Sequence, residues 1–121
     1  MKSIRFQLGN LRKLEQRRLA MTEKSKAHYA LSEIKARVAA QGISAFTRTA
    51  QIGLAEMDLS PDEAVQVTLG LERSMLYKSM TTNADHRVWQ DVYHAPCPNG
   101  KTAYIKLTLR DGTVVVQFKE K

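Results

Sequence analysis

The fold is decided by residues 101–120, KTAYIKLTLR followed by DGTVVVQFKE, in which apolar and polar side chains alternate on both sides of Asp111-Gly112. An Asp-Gly pair between two alternating runs predicts a β-hairpin with a two-residue type I′ turn, and this turn fixes the register of the two strands. Counting back from the turn places Tyr104 opposite Lys119. The sequence therefore predicts that a phenol and an ammonium group share one face of a sheet.

The two faces of this hairpin differ in character. Because side chains alternate between the faces of a strand, one face is wholly apolar and is expected to pack on the core. Its members are Ala103, Ile105, Leu107, Leu109, Val114, Val116 and Phe118. The other face is basic and partly aromatic, and it carries Tyr104, Lys106, Thr108, Arg110, Thr113, Val115, Gln117 and Lys119. A surface of this composition favours an anionic ligand.

Helical patterns precede the hairpin. Leu31, Ile34 and Val38 form one stripe that ends at Gly42, and a second helical stretch is predicted over residues 46–57. Ser60-Pro61-Asp62-Glu63 is typical of a helix start, with an N-cap serine, proline at the first position and a glutamate that can close a capping box. The buried face of this third helix is predicted to consist of Ala64, Val65, Val67, Leu69 and Leu71.

After Ser74 the hydrophobic period falls towards two. Strands are predicted over residues 75–80, 87–93, 101–110 and 113–119. Helices followed by consecutive antiparallel strands indicate an α+β fold, with the N-terminal helices packed on one face of a C-terminal antiparallel sheet. The other face of the sheet is predicted to stay open.

Composition and charge limit the class of protein. The chain has 121 residues, 43% of them hydrophobic, and a net charge of +7, which fits one domain with a basic surface. Residues 1–20 carry six of the Lys and Arg residues against Glu15 alone, and we expect them to be a poorly ordered basic extension of a single domain over 21–121. No apolar run reaches the roughly 18 residues that a membrane span needs.

The cysteine and histidine content predicts neither a disulfide nor a metal site. Cys97 is the one cysteine of the chain, so an intramolecular disulfide is impossible and a reducing compartment is expected. The start of the chain lacks the apolar segment of a secretory signal, and a cytoplasmic location is therefore predicted. His86, His94 and Cys97 form a loose array that fits no known structural zinc spacing.

Residues 77–93, YKSMTTNADHRVWQDVY, resemble the motility quorum-sensing regulator (MqsR) toxin family, as do the closing residues FKEK, 118–121. Looser similarity extends back to Met21. The resemblance implies a RelE-like bacterial toxin RNase fold and the toxin of a type II toxin-antitoxin system. Members of this family are ribosome-independent mRNA interferases, so it implies an endoribonuclease that cuts single-stranded mRNA at GCU-like sequences. It also implies a cognate antitoxin encoded by the adjacent gene, and no cofactor.

The resemblance also implies the site. It places functional residues at Lys78, Gln90, Tyr104 and Lys119, and Tyr104 and Lys119 are the pair that the hairpin register brings together. The further residues expected to contact RNA are Lys106, Arg110, Trp89 and His28. The chain departs from the family pattern at Asn83-Ala84 and over residues 94–100, which leaves its RNA sequence preference open.

These residue types are suited to RNA cleavage without a metal. The 2′-hydroxyl must lose a proton, the leaving 5′-oxygen must gain one, and charge on the pentacoordinate phosphorus must be stabilised. Lys78 and Lys119 fit the last task, and Gln90 fits positioning, since a neutral amide does not transfer protons usefully. Tyr104 or a lysine is expected to handle protons, but which group is the base is left open.

Two points compete with this interpretation. Lys78 alternates with Leu76 and Met80, and Gln90 lies in phase with apolar neighbours, so a bulge or a site at the strand edge is required to expose them. The second point is functional. A non-catalytic RNA-binding regulator would use the same basic and aromatic face without cutting RNA.

Overall fold

The computed structural model of the protein describes residues 22–121. Five antiparallel strands form one sheet in chain order: β1 (Glu23–Lys24), β2 (Leu76–Thr81), β3 (Trp89–Pro96), β4 (Thr102–Arg110) and β5 (Thr113–Glu120). Three α-helices precede β2: α1 (Leu31–Gln41), α2 (Arg48–Glu56) and α3 (Pro61–Leu69). Short 3-10 turns lie at Gly42–Ala45 and Arg73–Met75. The predicted α+β class is confirmed, and the predicted extension over 1–20 lies outside the described residues.

The hairpin of β4 and β5 has the predicted register. Tyr104 pairs with Lys119, Ile105 with Phe118, and the ladder ends at Arg110 and Thr113. Asp111 and Gly112 have φ angles of 52° and 74°, as a type I′ turn requires at its two central positions. The turn chemistry of two residues therefore sets which side chains meet along the whole hairpin.

The core lies between the helices and one face of the sheet. Ile34 and Val38 of α1, Leu54 of α2 and the apolar hairpin residues Ile105 and Leu107 are buried in one cluster. The predicted apolar face is confirmed, although Leu109 is only partly buried at its end. Because the helices cover this face alone, the opposite face of β2–β5 is left for ligands.

The predicted end of α1 at Gly42 and start of α3 after Ser60 are confirmed. α2 spans Arg48–Glu56 instead of the predicted 46–57, and part of the buried face of α3 was predicted wrongly. The Ser60 side chain accepts a hydrogen bond from the Glu63 backbone, and Glu63 completes the capping box. Ala64 and Leu71 are buried as predicted, whereas the predicted Val65, Val67 and Leu69 are only half-buried. Thr68 is buried in their place, because its hydroxyl donates to the Ala64 carbonyl at 2.9 Å and so needs no water.

The strand limits also needed correction. β2 begins and ends one residue later than predicted, and β3 runs on to Pro96 instead of ending at Tyr93. The two-residue β1 was missed, because so short an edge strand has no periodic signal. A register shift between Leu76 and Lys78 is the bulge that the phase of Lys78 required.

Asp91 attaches the segment before α1 to the sheet. Its buried carboxylate accepts hydrogen bonds from the backbone N–H groups of His28 and Tyr29, each at 2.9 Å. The Ser79 hydroxyl also donates to it, at 2.6 Å. Three donors thus compensate the desolvation of one buried carboxylate. No helix among residues 22–121 is both long and apolar enough to cross a membrane.

Candidate active site

The centre of the open face is the Tyr104–Lys119 pair. Lys119 Nζ lies 5.1 Å from the centroid of the Tyr104 ring, and Lys106 Nζ lies 5.8 Å from the same centroid. Tyr104 is half-buried and Lys119 is exposed, so both remain accessible. The structure therefore places two cations around one phenol, on the face that the helices leave uncovered.

Three aromatic rings form a row across β2, β3 and β4. Tyr77 stacks on His94 with ring centroids 4.5 Å apart, and His94 lies 5.4 Å from Tyr104. His94 is the direct cross-strand partner of Tyr104, while the bulge in β2 brings Tyr77 over the imidazole. Lys78 Nζ lies 5.3 Å from the Tyr77 ring centroid. Cations thus flank the row at both ends.

Lys78 already has an anionic partner. Its ammonium group donates a hydrogen bond to the Glu23 carboxylate of β1, and this bond raises the pKa of Lys78 above its ordinary value. Lys78 is thus protonated at neutral pH. Because the Glu23 carboxylate partly neutralises this charge, Lys78 attracts phosphate less strongly than an unpaired lysine does.

Gln90 lies on the open face and borders a cleft there, although it is itself buried and not exposed as expected. Gln90 pairs with Met80, and alternation along β3 puts Val92 and His94 on the same face. Val92 is fully buried between its strand partners Lys78 and Lys106. The valine is therefore the floor of the site, and the long lysine stems cover it while their charged ends stay near solvent.

Burial and nearby charges shift the pKa values of two groups of the site. Burial and the charges of Lys119 and Lys78 lower the pKa of Lys106. Burial, with a smaller effect of the Lys121 charge, lowers the pKa of His94. His94 is therefore a neutral imidazole at pH 7. Its Nε2 atom is buried and has no hydrogen-bond partner among the described residues.

Two clefts adjoin at Lys106 and Gln117. One is about 340 Å³ in volume and lies between Tyr104, Lys119 and the start of α2 at Thr47 and Thr49. The other is bordered by Gln90, Arg110 and the loop of residues 82–85. Because Lys106 and Gln117 line both, the two clefts are neighbours, and together they are called the groove of the open face. Arg110 is exposed and lies at its far end, and its contact with RNA stays a prediction.

His28 and Trp89 do not join this groove. Trp89 is out of phase with Gln90 and lies on the helix side of the sheet, where His28 stacks on it with centroids 5.2 Å apart. Lys24 Nζ lies 4.1 Å from the Trp89 ring centroid. An RNA contact by these two residues stays a prediction, and it would require a surface other than the groove.

The sequence reasoning missed Tyr77 and the contribution of His94. His94 was weighed only as a zinc ligand, and the predicted strand stopped one residue before it. The signal that could have found it is the two-residue period of β3, which puts residue 94 on the face of Gln90. No group of three or more His, Cys, Asp or Glu side chains placed to hold a metal ion occurs within residues 22–121.

Comparisons with known proteins identify the family of the chain. The family described as "Motility quorum-sensing regulator, toxin of MqsA" matches residues 26–120. The chain is 40% identical over 99 residues to the mRNA interferase toxin MqsR of Escherichia coli (strain K12), and this alignment covers 82% of the chain and 99% of that protein. The resemblance read from residues 77–93 is confirmed. The chain belongs to the motility quorum-sensing regulator toxin family.

Proposed function

We propose that this protein is an mRNA interferase, the toxin of a type II toxin-antitoxin pair, which cuts single-stranded mRNA in the groove of the open face. The observation that carries the proposal is the Tyr104–Lys119 pair, at the centre of a cationic and aromatic surface in a member of this toxin family. Phosphate suits the lysines, and unstacked bases suit the exposed tyrosine ring of the row.

In the proposed reaction the 2′-hydroxyl oxygen attacks the adjacent phosphorus and the bond to the 5′-oxygen breaks. The products are a 2′,3′-cyclic phosphate and a free 5′-hydroxyl. Lys119 and Lys106 stabilise the additional negative charge on the phosphorane oxygens without a metal ion, because fixed cations in a partly desolvated groove need little reorganisation. Lys78 supports the same charge from the other end, and Gln90 positions the phosphate or a base edge.

Regulation and sequence preference are part of the same proposal. The partner is an MqsA-like antitoxin encoded by the adjacent gene, and the site of action is cytoplasmic mRNA. Cleavage at GCU-like triplets is expected from family membership. The loop at Asn83-Ala84 borders the groove, and it is where a shifted preference would arise.

Incubation of the purified protein with mixed-sequence RNA in EDTA tests the proposal. We expect discrete cuts with cyclic-phosphate ends, in the absence of ribosomes. Lys119→Ala should reduce the rate by about 10²- to 10³-fold, the range for removal of one group that stabilises transition-state charge. Its melting temperature should hardly change, because Lys119 is exposed.

Lys26→Ala is the matched control, since it removes an exposed lysine from the segment that precedes α1. It should cut RNA at the wild-type rate. RNA that is bound but stays intact would instead support the non-catalytic regulator, while loss of cutting in EDTA would reject the metal-free reaction.

A further inference from the structure

His94 has a buried polar atom without a hydrogen-bond partner, and the fold alone gives no reason for it. Its Nε2 atom is enclosed and no described residue donates to it or accepts from it. An unpaired buried polar atom has lost its hydrogen bonds to water without replacement, which destabilises the fold. Native proteins satisfy almost all such atoms, so the exceptions call for a reason such as a catalytic role.

The neighbours of His94 define what it can do. Tyr77 stacks on its ring at 4.5 Å, Tyr104 lies 5.4 Å away as its strand partner, and the imidazole retains partial exposure between them. The rings of Tyr77 and Tyr104 contact it, and the charge of Lys121 acts on it. Three further lysines surround the two tyrosine rings: Lys78, Lys106 and Lys119. None of these is a carboxylate, so nothing here favours the imidazolium form.

The site needs a base that its other members do not supply. Lys78 is held as a cation by Glu23, and Gln90 cannot ionise. Burial and the charges of Lys119 and Lys78 lower the pKa of Lys106, but an ordinary lysine titrates far above neutral pH. A neutral imidazole is the side chain best matched to proton removal near pH 7. It is the remaining component of a metal-free RNA cleavage site.

We propose that His94 is a catalytic residue whose other ring nitrogen, Nδ1, is the general base that takes the proton of the attacking 2′-hydroxyl, while the enclosed Nε2 carries the ring hydrogen. The oxygen–phosphorus bond forms as that proton moves to the imidazole. The bond to the 5′-oxygen breaks as the Tyr104 hydroxyl gives that oxygen a proton. Imidazolium and phenolate then return to their neutral forms through solvent. This assignment rests on the proposed function and adds to it the group whose ionisation sets the pH dependence.

Single-turnover cleavage by His94→Gln tests the proposal across pH 5–8. The wild-type rate should rise with pH and level off through an apparent pKa below 6.5, because the base must be neutral and burial lowers its pKa. The variant should lose this rise and be slower at pH 7 by about 10²- to 10⁴-fold, the range for general acid–base catalysis. Its affinity for an RNA with 2′-O-methyl groups, which cannot be cut, should change by less than a factor of about three.

His86→Gln is the matched control, since His86 is exposed in the loop before β3; its rate and pH profile should equal those of the wild type. A His94→Gln profile that keeps the rise would overturn the proposal. An NMR titration of the His94 ring in the wild-type protein supplies a test that needs no variant. A ring pKa different from the kinetic pKa would also reject the role. If the wild type cuts no RNA at any pH, the proposed function itself fails.

Discussion

At the residue scale, the ion pair between Glu23 and Lys78 sets how strongly the groove attracts RNA. Glu23→Gln removes the carboxylate but leaves Lys78 cationic, so one more positive charge becomes free to contact phosphate. We expect tighter binding of uncleavable single-stranded RNA. The slope of log K against log salt should steepen by roughly 0.7, the value for one phosphate contact to a single strand. Fluorescence anisotropy at several salt concentrations measures both quantities.

A suitable control for this change is Glu33→Gln. Glu33 is an exposed carboxylate in the first turn of α1, on the helix side of the sheet, so its loss changes the net charge equally but not the groove. If both variants bind RNA with the same slope as the wild type, Lys78 does not contact phosphate and its place in the site is wrong.

The position of a residue could be predicted from sequence where nearby residues fix it. Tyr104 and Lys119 could be paired from sequence because the Asp111-Gly112 turn fixes their register within a few residues. Trp89 and Gln90 lie on opposite faces of β3, because a two-residue period cannot put both on one face. His94 was overlooked because the predicted strand ended at residue 93, whereas β3 continues to Pro96.

At the element scale, the left-handed backbone of the hairpin turn penalises any residue with a Cβ atom, and a substitution measures this penalty in stability. Gly112 has a φ of 74°, and a Cβ placed there would meet Arg37 at 3.7 Å, an ordinary contact. Gly112→Ala should therefore destabilise the protein by about 1–2 kcal/mol through the left-handed conformation alone. Urea unfolding followed by circular dichroism measures this loss.

Gly53 offers the opposite case within the same protein. It lies inside α2, and a Cβ built there meets nothing within 4 Å. Gly53→Ala should stabilise the fold by about 0.5–1 kcal/mol, because alanine loses less conformational entropy in a helix. If both alanine variants lose stability, backbone conformation is not what distinguishes the two sites.

Elements with strong local signals were predicted well and those set by tertiary contacts were not. The capping box at Ser60 and the stop at Gly42 have short sequence signatures. The bulge in β2 has none, because it results from how residues 76–78 fit against β3, and it is the bulge that brings Tyr77 over His94. β1 exists only through its pairing with Ser79 and Met80.

At the scale of the whole molecule, the buried phenol of Tyr93 couples stability to alkaline pH. Burial raises the pKa of Tyr93 to about 12, whereas an unfolded tyrosine titrates near 10. The fold favours the neutral phenol. The contribution of this phenol to the free energy of unfolding is therefore complete below about pH 10, and it is lost as pH rises from about 10 to about 12.

Denaturant unfolding of the wild type and of Tyr93→Phe at pH 8 and pH 11 measures this coupling. We expect the wild type to lose more stability than the variant between the two values, because phenylalanine has no proton to lose. Equal losses in both proteins would mean that other groups cause the alkaline instability.

The chain-order arrangement of the sheet has a kinetic consequence. Strands β2 to β5 are joined by short connections, whereas β1 must wait for the three helices between it and β2. Since short loops close at lower entropic cost, we expect the hairpin of β4 and β5 to form first and β1 to pair with β2 last. The last contact to form is then the ion pair between Glu23 and Lys78. A late folding intermediate would therefore already contain the groove, with Lys78 not yet paired to a carboxylate.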